Sequence, residues 1–216
     1  MELTRLAIDR RSPERAPLDA ALEVLRSGGL VAYPTEHFYA LACDPRNPEA
    51  VRRLFDAKGR PADKPILLAI AEREVLDGWT LGVPEAAHAL VAEWPEGLTL
   101  VLPARGNVLS DLHAGTGTVG VRLVRTPVAA ALTRAAGGAL PATSANRSGQ
   151  PASGDPDRVA QQLPGLDLLL DAGVLAPGAR STLMDVTAVP WRVLRSGAVK
   201  TTDLGRFGVP VEIKEQ

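Results

Sequence analysis

The sequence predicts a mixed α/β fold, and three observations carry that prediction. Short aliphatic runs alternate with stretches of helical periodicity, the connections between them are a few residues long, and aromatics make up only 4% of the chain while Gly 20 and Pro 18 punctuate it. At 216 residues the chain is long enough to bury a substantial core. No linker or internal repeat divides the pattern, so the expectation is one domain over residues 1–216 with a mixed sheet. Its core spans about 15–200, and residues 209–216 form a short C-terminal extension.

The elements follow in order. Residues 3–8 read as a strand and 18–26 as a helix, with Ala20, Ala21, Val24 and Leu25 at helical spacing before the Gly28-Gly29 stop. The apolar run 30–33 ends in Pro34 and reads as a strand, with Thr35, Glu36 and His37 in the loop after it. Asn47 and Pro48 are N-cap and first position of a helix that runs to Lys58, is closed by Gly59, and turns Val51, Leu54 and Phe55 inward. A strand over 65–70 and a helix near 84–94 precede two buried strands, 98–102 and 119–123. Pro127 starts a further helix to 136, ended by Gly137-Gly138 ahead of a strand at 140–142. A small-residue loop over 143–154, a helix at 155–163 and strands at 166–170, 182–186 and 191–194 complete the pattern.

Composition excludes several function classes. The 24 basic and 25 acidic side chains leave a formal charge of -1, so no global cationic field recruits nucleic acid and any polyanion site must be local. Cys43 is the one cysteine, which removes intramolecular disulfides and paired-cysteine metal or redox sites and fits a reducing, cytoplasmic compartment. The first 17 residues are charged and lack the apolar segment of a signal peptide, and no run is long enough to span a membrane. His37, His88 and His113 have no mutual ligand spacing, so no protein-held metal is expected. Gly115 to Gly120 spell GxGxxG, but Val121, Arg122, Leu123 and Val124 continue as a strand where a dinucleotide site needs a helix.

Two segments stand out as chemistry. Arg52, Arg53, Lys58, Arg60 and Lys64 against Asp56 and Asp63 place a net +3 in thirteen residues around a helix C-terminus. That arrangement is either a helix end whose dipole favours cations or a site for a polyphosphate, to which an arginine fork and a mobile lysine are suited. Thr143-Ser144-Ala145-Asn146-Arg147-Ser148 follows a short apolar strand, where α/β proteins bind ligands, and is otherwise read as a solvated turn.

In order and spacing, these segments resemble the YrdC/Sua5 family of threonylcarbamoyl-AMP synthases. Pro34-Thr35-Glu36 is similar to the family's PT[DE] loop, Lys58-Gly59-Arg60 to its KxR element and Ser144-Ala145-Asn146 to its SxN element. The blocks Trp94 to Thr99, Val119 to Arg122, Ser181-Thr182 with Asp185 to Thr187, and Leu194 to Gly197 also match, so the likeness covers roughly 18–200. The resemblance implies an open twisted sheet with helices around a large, positively lined cavity. It implies formation of threonylcarbamoyl-adenylate and pyrophosphate from L-threonine, bicarbonate and ATP, with Mg²⁺ on the ATP phosphates, for the threonylcarbamoyladenosine at position 37 of tRNA.

Carried over by position, Lys58, Arg60, Lys64, Thr118, Ser144, Asn146 and Arg195 contact ATP, with Lys58 and Arg60 catalytic through charge neutralisation. Thr35, Arg122 and Ser181 face the threonine. The chain resembles the short form, which needs separate tRNA-transfer proteins as partners. It departs from the family's PT[DE]TVYGLG at His37, Ala40 and Ala42, carries Ala69 where longer relatives have His, and has Ser196 in place of a Pro. Two other readings compete. One is a diverged paralogue that keeps ATP or RNA binding with an altered amino-acid substrate, as His37 suggests. The other is a module for tRNA or double-stranded RNA, against which the near-zero charge and few aromatics argue.

Overall fold

The computed structural model describes residues 3–213. Strand β1 (Thr4–Ala7) leads into helix α1 (Arg15–Arg26), whose Ala21, Leu22 and Leu25 are buried. Strands β2 (Val31–Pro34) and β3 (Tyr39–Ala42) form an antiparallel hairpin, of which sequence reasoning found only the first arm. Helix α2 (Pro48–Lys58) has the expected ends: Asn47 Oδ1 accepts from Glu49 N and Ala50 N, and Gly59 takes a left-handed conformation at φ 57°. Strand β4 covers only Leu68–Ile70, three residues fewer at its start than the apolar run suggests.

Short helical turns (Arg73–Gly78 and Glu85–Ala87) and α3 (His88–Glu93) precede β5 (Leu98–Pro103). The short α4 (Ser110–His113) precedes β6 (Thr118–Leu123), so the GxGxxG segment runs into a strand as expected. Helix α5 (Pro127–Ala135), β7 (Ala139–Pro141), β8 (Thr143–Ser144), α6 (Pro156–Gln162), β9 (Leu168–Asp171), β10 (Thr182–Asp185) and β11 (Trp191–Arg195) come next. The stretch expected as a plain extension contains β12 (Val211–Ile213) after α7 (Thr201–Leu204), and its last three residues lie outside the described ones.

The mixed α/β class holds, but the strands divide over two mixed sheets rather than one. The five-stranded sheet runs β1-β9-β2-β3-β8, and the seven-stranded sheet runs β12-β11-β10-β5-β6-β4-β7. The period-two alternation of strands explains the layering. Leu30 and Ala32 face one buried cluster with Leu68, Leu100, Val121 and Trp191, while Val31 and Tyr33 face a second with Leu25 of α1 and Val128 and Leu132 of α5. Both faces of β2 are buried, which is why it reads as a continuous apolar run.

Register in the seven-stranded sheet then positions polar side chains. Residues paired directly across strands share a face. Arg195 pairs with Leu183, Leu183 with Thr99, Thr99 with Arg122, and Arg122 with Ala69, so two arginines and a threonine stand in one row. Along β6, Val119 and Val121 enter the core, and alternation leaves Thr118, Gly120 and Arg122 on the opposite face.

Candidate functional site

Lys58 ends α2 on the same stripe as Val51 and Leu54, three and four positions apart, and is only 2% exposed. Its Nζ donates to Ser144 O at 2.5 Å and Asn146 O at 2.7 Å, and its own carbonyl accepts from Ser148 N at 2.7 Å. Three bonds thus stitch the KxR segment to the SxN loop, and two separate sequence signals become one place. Burial, then the charges of Arg60 and Arg180, lower the Lys58 ammonium to about 7.

The loop is itself held from inside. Asn146 Nδ2 donates to Arg147 O and Gln150 O, at 2.8 and 2.7 Å. Asn146 Oδ1 and Ser148 Oγ are buried without a hydrogen-bond partner among the described residues. Buried polar atoms of this kind cost free energy unless satisfied, and the pair marks this loop as a place where a polar ligand would be matched.

Arg60 spends Nε on Lys64 O (3.0 Å) and an Nη on Pro65 O (2.7 Å), which holds the turn after α2. Arg195 reaches Ser181 O and Oγ, and Ser181 Oγ shares a 2.8 Å hydrogen bond with the fully buried Thr99 hydroxyl. Burial lowers the pKa of both guanidiniums, and in each the charge of Arg180 comes next; Arg122 adds to the effect at Arg195. Lys58, Arg60, Arg122, Arg180 and Arg195 therefore belong to one electrostatic cluster. Such a group of like charges is costly to hold together, a cost that a bound anion would lower.

On the other side, Arg122 pairs with Glu36 at 2.8 Å, both side chains largely withdrawn from solvent. Their charges also reach the buried Tyr33, whose pKa is raised chiefly by burial. Thr35 turns its hydroxyl into its own turn, donating to Phe38 O at 2.6 Å. Thr118 exchanges hydrogen bonds with Thr116 near the start of β6, and Lys64 is exposed on its turn. A cavity of about 260 Å³ lined by Arg10, Arg11, Pro34, Thr35, Thr126 and Val128 takes in the start of the PT[DE] loop, and Thr35 is the one ligand-contact residue expected from sequence that lines it. Sequence reasoning missed Arg180, Thr99 and the role of Glu36. Arg180 had no signal beyond adjacency to Ser181, whereas Thr99 could have been found as the polar position alternating with Leu98 and Leu100.

The Sua5/YciO/YrdC family, described by the words "Telomere recombination", matches residues 23–197. The chain belongs to the Sua5/YciO/YrdC family. It is 34% identical over 208 residues to the threonylcarbamoyl-AMP synthase of Bacillus subtilis (strain 168), covering 95% of this chain and 60% of that protein. To the threonylcarbamoyl-AMP synthase of Alkalilimnicola ehrlichii it is 40% identical over 175 residues, covering 81% of this chain and 90% of the relative. The crystal structure of Sua5 from Pyrococcus abyssi complexed with L-threonine superposes with a TM-score of 0.88 at 32% identity, covering 98% of this chain and 62% of that one. The family match includes the KxR segment, the SxN loop and Arg195. The chain thus spans about 60% of the length of its Bacillus relative. Among the described residues, no helix is long and apolar enough to cross a membrane.

Proposed function

We propose that this chain forms L-threonylcarbamoyladenylate and pyrophosphate from L-threonine, bicarbonate and ATP, a nucleotidyl transfer that supplies tRNA threonylcarbamoylation. The observation that carries the reading is the junction of the KxR segment and the SxN loop at Lys58, with Arg60, Arg180 and Arg195 clustered about it. Likeness to threonylcarbamoyl-AMP synthases over most of the chain supports it.

The chemistry asks for positioning rather than for a protein nucleophile. The amine of threonine is carboxylated to a carbamate, a carbamate oxygen attacks the α-phosphorus, and pyrophosphate leaves. Charge builds on the phosphates, where Lys58, Arg60, Arg180 and Arg195 neutralise it. Ser144, Asn146 and Thr118 fix the nucleotide, Asn146 Oδ1 and Ser148 Oγ offering buried polar atoms to it. Arg122, held by Glu36, faces the threonine carboxylate with Ser181 and Thr35 beside it. Lys64 meets the outer phosphate from its exposed turn.

The donors around this site are cations and carbonyls, and no three His, Cys, Asp or Glu side chains cluster to hold a metal among the described residues. In this reading Mg²⁺ rides on the triphosphate, as part of the substrate. The product passes to separate tRNA-transfer proteins in the cytoplasm. Pyrophosphate release from ATP, with threonine and bicarbonate omitted in turn and other amino acids substituted, tests the reading. Release should require both; ATP turnover with a different amino acid, or none, would refute it and favour a diverged acceptor.

A further inference from the structure

Residues 172–181 connect β9 to β10 and are mostly exposed, yet they end in Arg180 and Ser181 at the cationic cluster. The connection is tied at its root, where Ala172 N donates to the Tyr39 hydroxyl and that hydroxyl donates to Gly173 O. It is tied again at Leu175, whose N–H donates to Gly154 O, and at its end, where Ala198 N donates to Arg180 O. Between these ties it meets His37. The ring sits at Nδ1 3.1 Å from Ala176 O, and since a carbonyl can only accept, Nδ1 carries the proton. A Cβ built on Gly178 would stand inside contact distance of three ring atoms of His37, and one on Gly154 would lie 2.8 Å from His37 O. The ring thus fills space that Gly178 leaves open, while Gly154 lets the backbone of residue 37 come close.

We infer that His37 is a positioning residue that latches residues 176–178 onto the 35–38 turn and so sets where Arg180 stands against Lys58, Arg60 and Arg195. Glu36, the neighbour on that turn, holds Arg122. One short turn therefore orients a cation on each side of the site, Arg122 directly and Arg180 through the strap. Position 37 thereby gains a physical role, in which a rigid ring supplies a donor to Ala176 O and fills the space beside Gly178. The consequence for nucleotide rests on the function proposed above; the latch itself does not.

The test combines hydrogen–deuterium exchange over 172–181 with ATP affinity by calorimetry, in wild type, His37→Ala, His37→Asn, Gly178→Ala and the His37→Ala/Gly178→Ala pair. His37→Ala should speed exchange at the Leu175 amide, which donates to Gly154 O beside His37, leave α2 protected, and weaken ATP about fivefold, the scale of one net hydrogen bond. His37→Asn keeps an amide N–H near the Nδ1 position and should restore both. Gly178→Ala should act like His37→Ala alone but add little to it, because the removed ring makes room for the methyl. Unchanged exchange in His37→Ala overturns the latch. Faster exchange with native ATP affinity overturns the placement of Arg180. A wild-type protein that fails to bind ATP defeats the nucleotide reading, and the exchange comparison still decides the latch.

Discussion

Lys58 occupies the last position of α2 on its buried face, and its neighbours there decide what its charge costs. The sequence marks it as a cation at a helix end, but the spacing from Val51 and Leu54 also carries an inward direction that only the packed loop 143–149 makes visible. Its ammonium sits at about 7, below the ordinary lysine value, chiefly through burial. Between about pH 7 and 10 the unfolded chain is then the more protonated state, so stability rises with pH across that window, and below pH 7 the penalty is constant. Chemical denaturation at pH 7 and pH 9 should show wild type gaining about 2 kcal/mol, while Lys58→Met, which cannot titrate, stays flatter over the same interval. Equal pH slopes in the two proteins would refute the assignment. The offset between them carries a separate cost, because methionine leaves the carbonyls of Ser144 and Asn146 without their donor, about 1–3 kcal/mol for each buried acceptor.

Among the elements, α2 was legible to the residue and β3 was not. Local chemistry dictates α2: an asparagine cap, a proline at the first helical position, an apolar stripe and a glycine in the left-handed region. The Asn47→Ala variant should lose about 1 kcal/mol of stability, read as a lowered midpoint in thermal denaturation. An unchanged midpoint would mean that tertiary packing alone holds that end. Tyr39-Ala-Leu-Ala42 has no β-branched residue and no polar alternation, because both faces are buried, so Tyr39 alone favours a strand by composition. What makes it one is pairing with β2 on one side and with Ser144 and Thr143 of β8 on the other. The same pairing carries the SxN loop to α2. Residues 65–67, in contrast, have strand composition but leave the ladder: Ile66 N turns to Leu112 O, and Leu67 O accepts from Ala142 N.

Across the whole molecule, the alternation of strand and helix predicts the fold class, while the division into two sheets depends on which strands pair over long sequence distances. Thr4 of β1 aligns with Leu168 of β9, and Thr182 of β10 aligns with Leu98 of β5. No local pattern encodes such partners. The two buried clusters meet across shared strands, since β2 and β4 each contribute alternate residues to both. Unfolding should therefore be a single transition. Cys43, fully buried with its thiol pKa pushed up by burial, and the buried Trp79, Trp94 and Trp191 offer two independent probes. Thiol labelling and tryptophan fluorescence should give one urea midpoint, and stoichiometric labelling of Cys43 without denaturant would show that its region opens separately.

By itself the sequence determined the α/β class, the ends of α2 and α5, the absence of a paired-cysteine site, and the family resemblance carried by its spaced motifs, because each depends on neighbouring residues or on collinear order. Tertiary structure alone decided that Lys58 is a buried strut between two motifs, that Arg180 joins the cations, that Thr99 supports Ser181, and that His37 meets the strap. The physical reason is that burial, electrostatic coupling and steric fit are properties of residues brought together from distant parts of the chain, and in this fold sheet register does the bringing together.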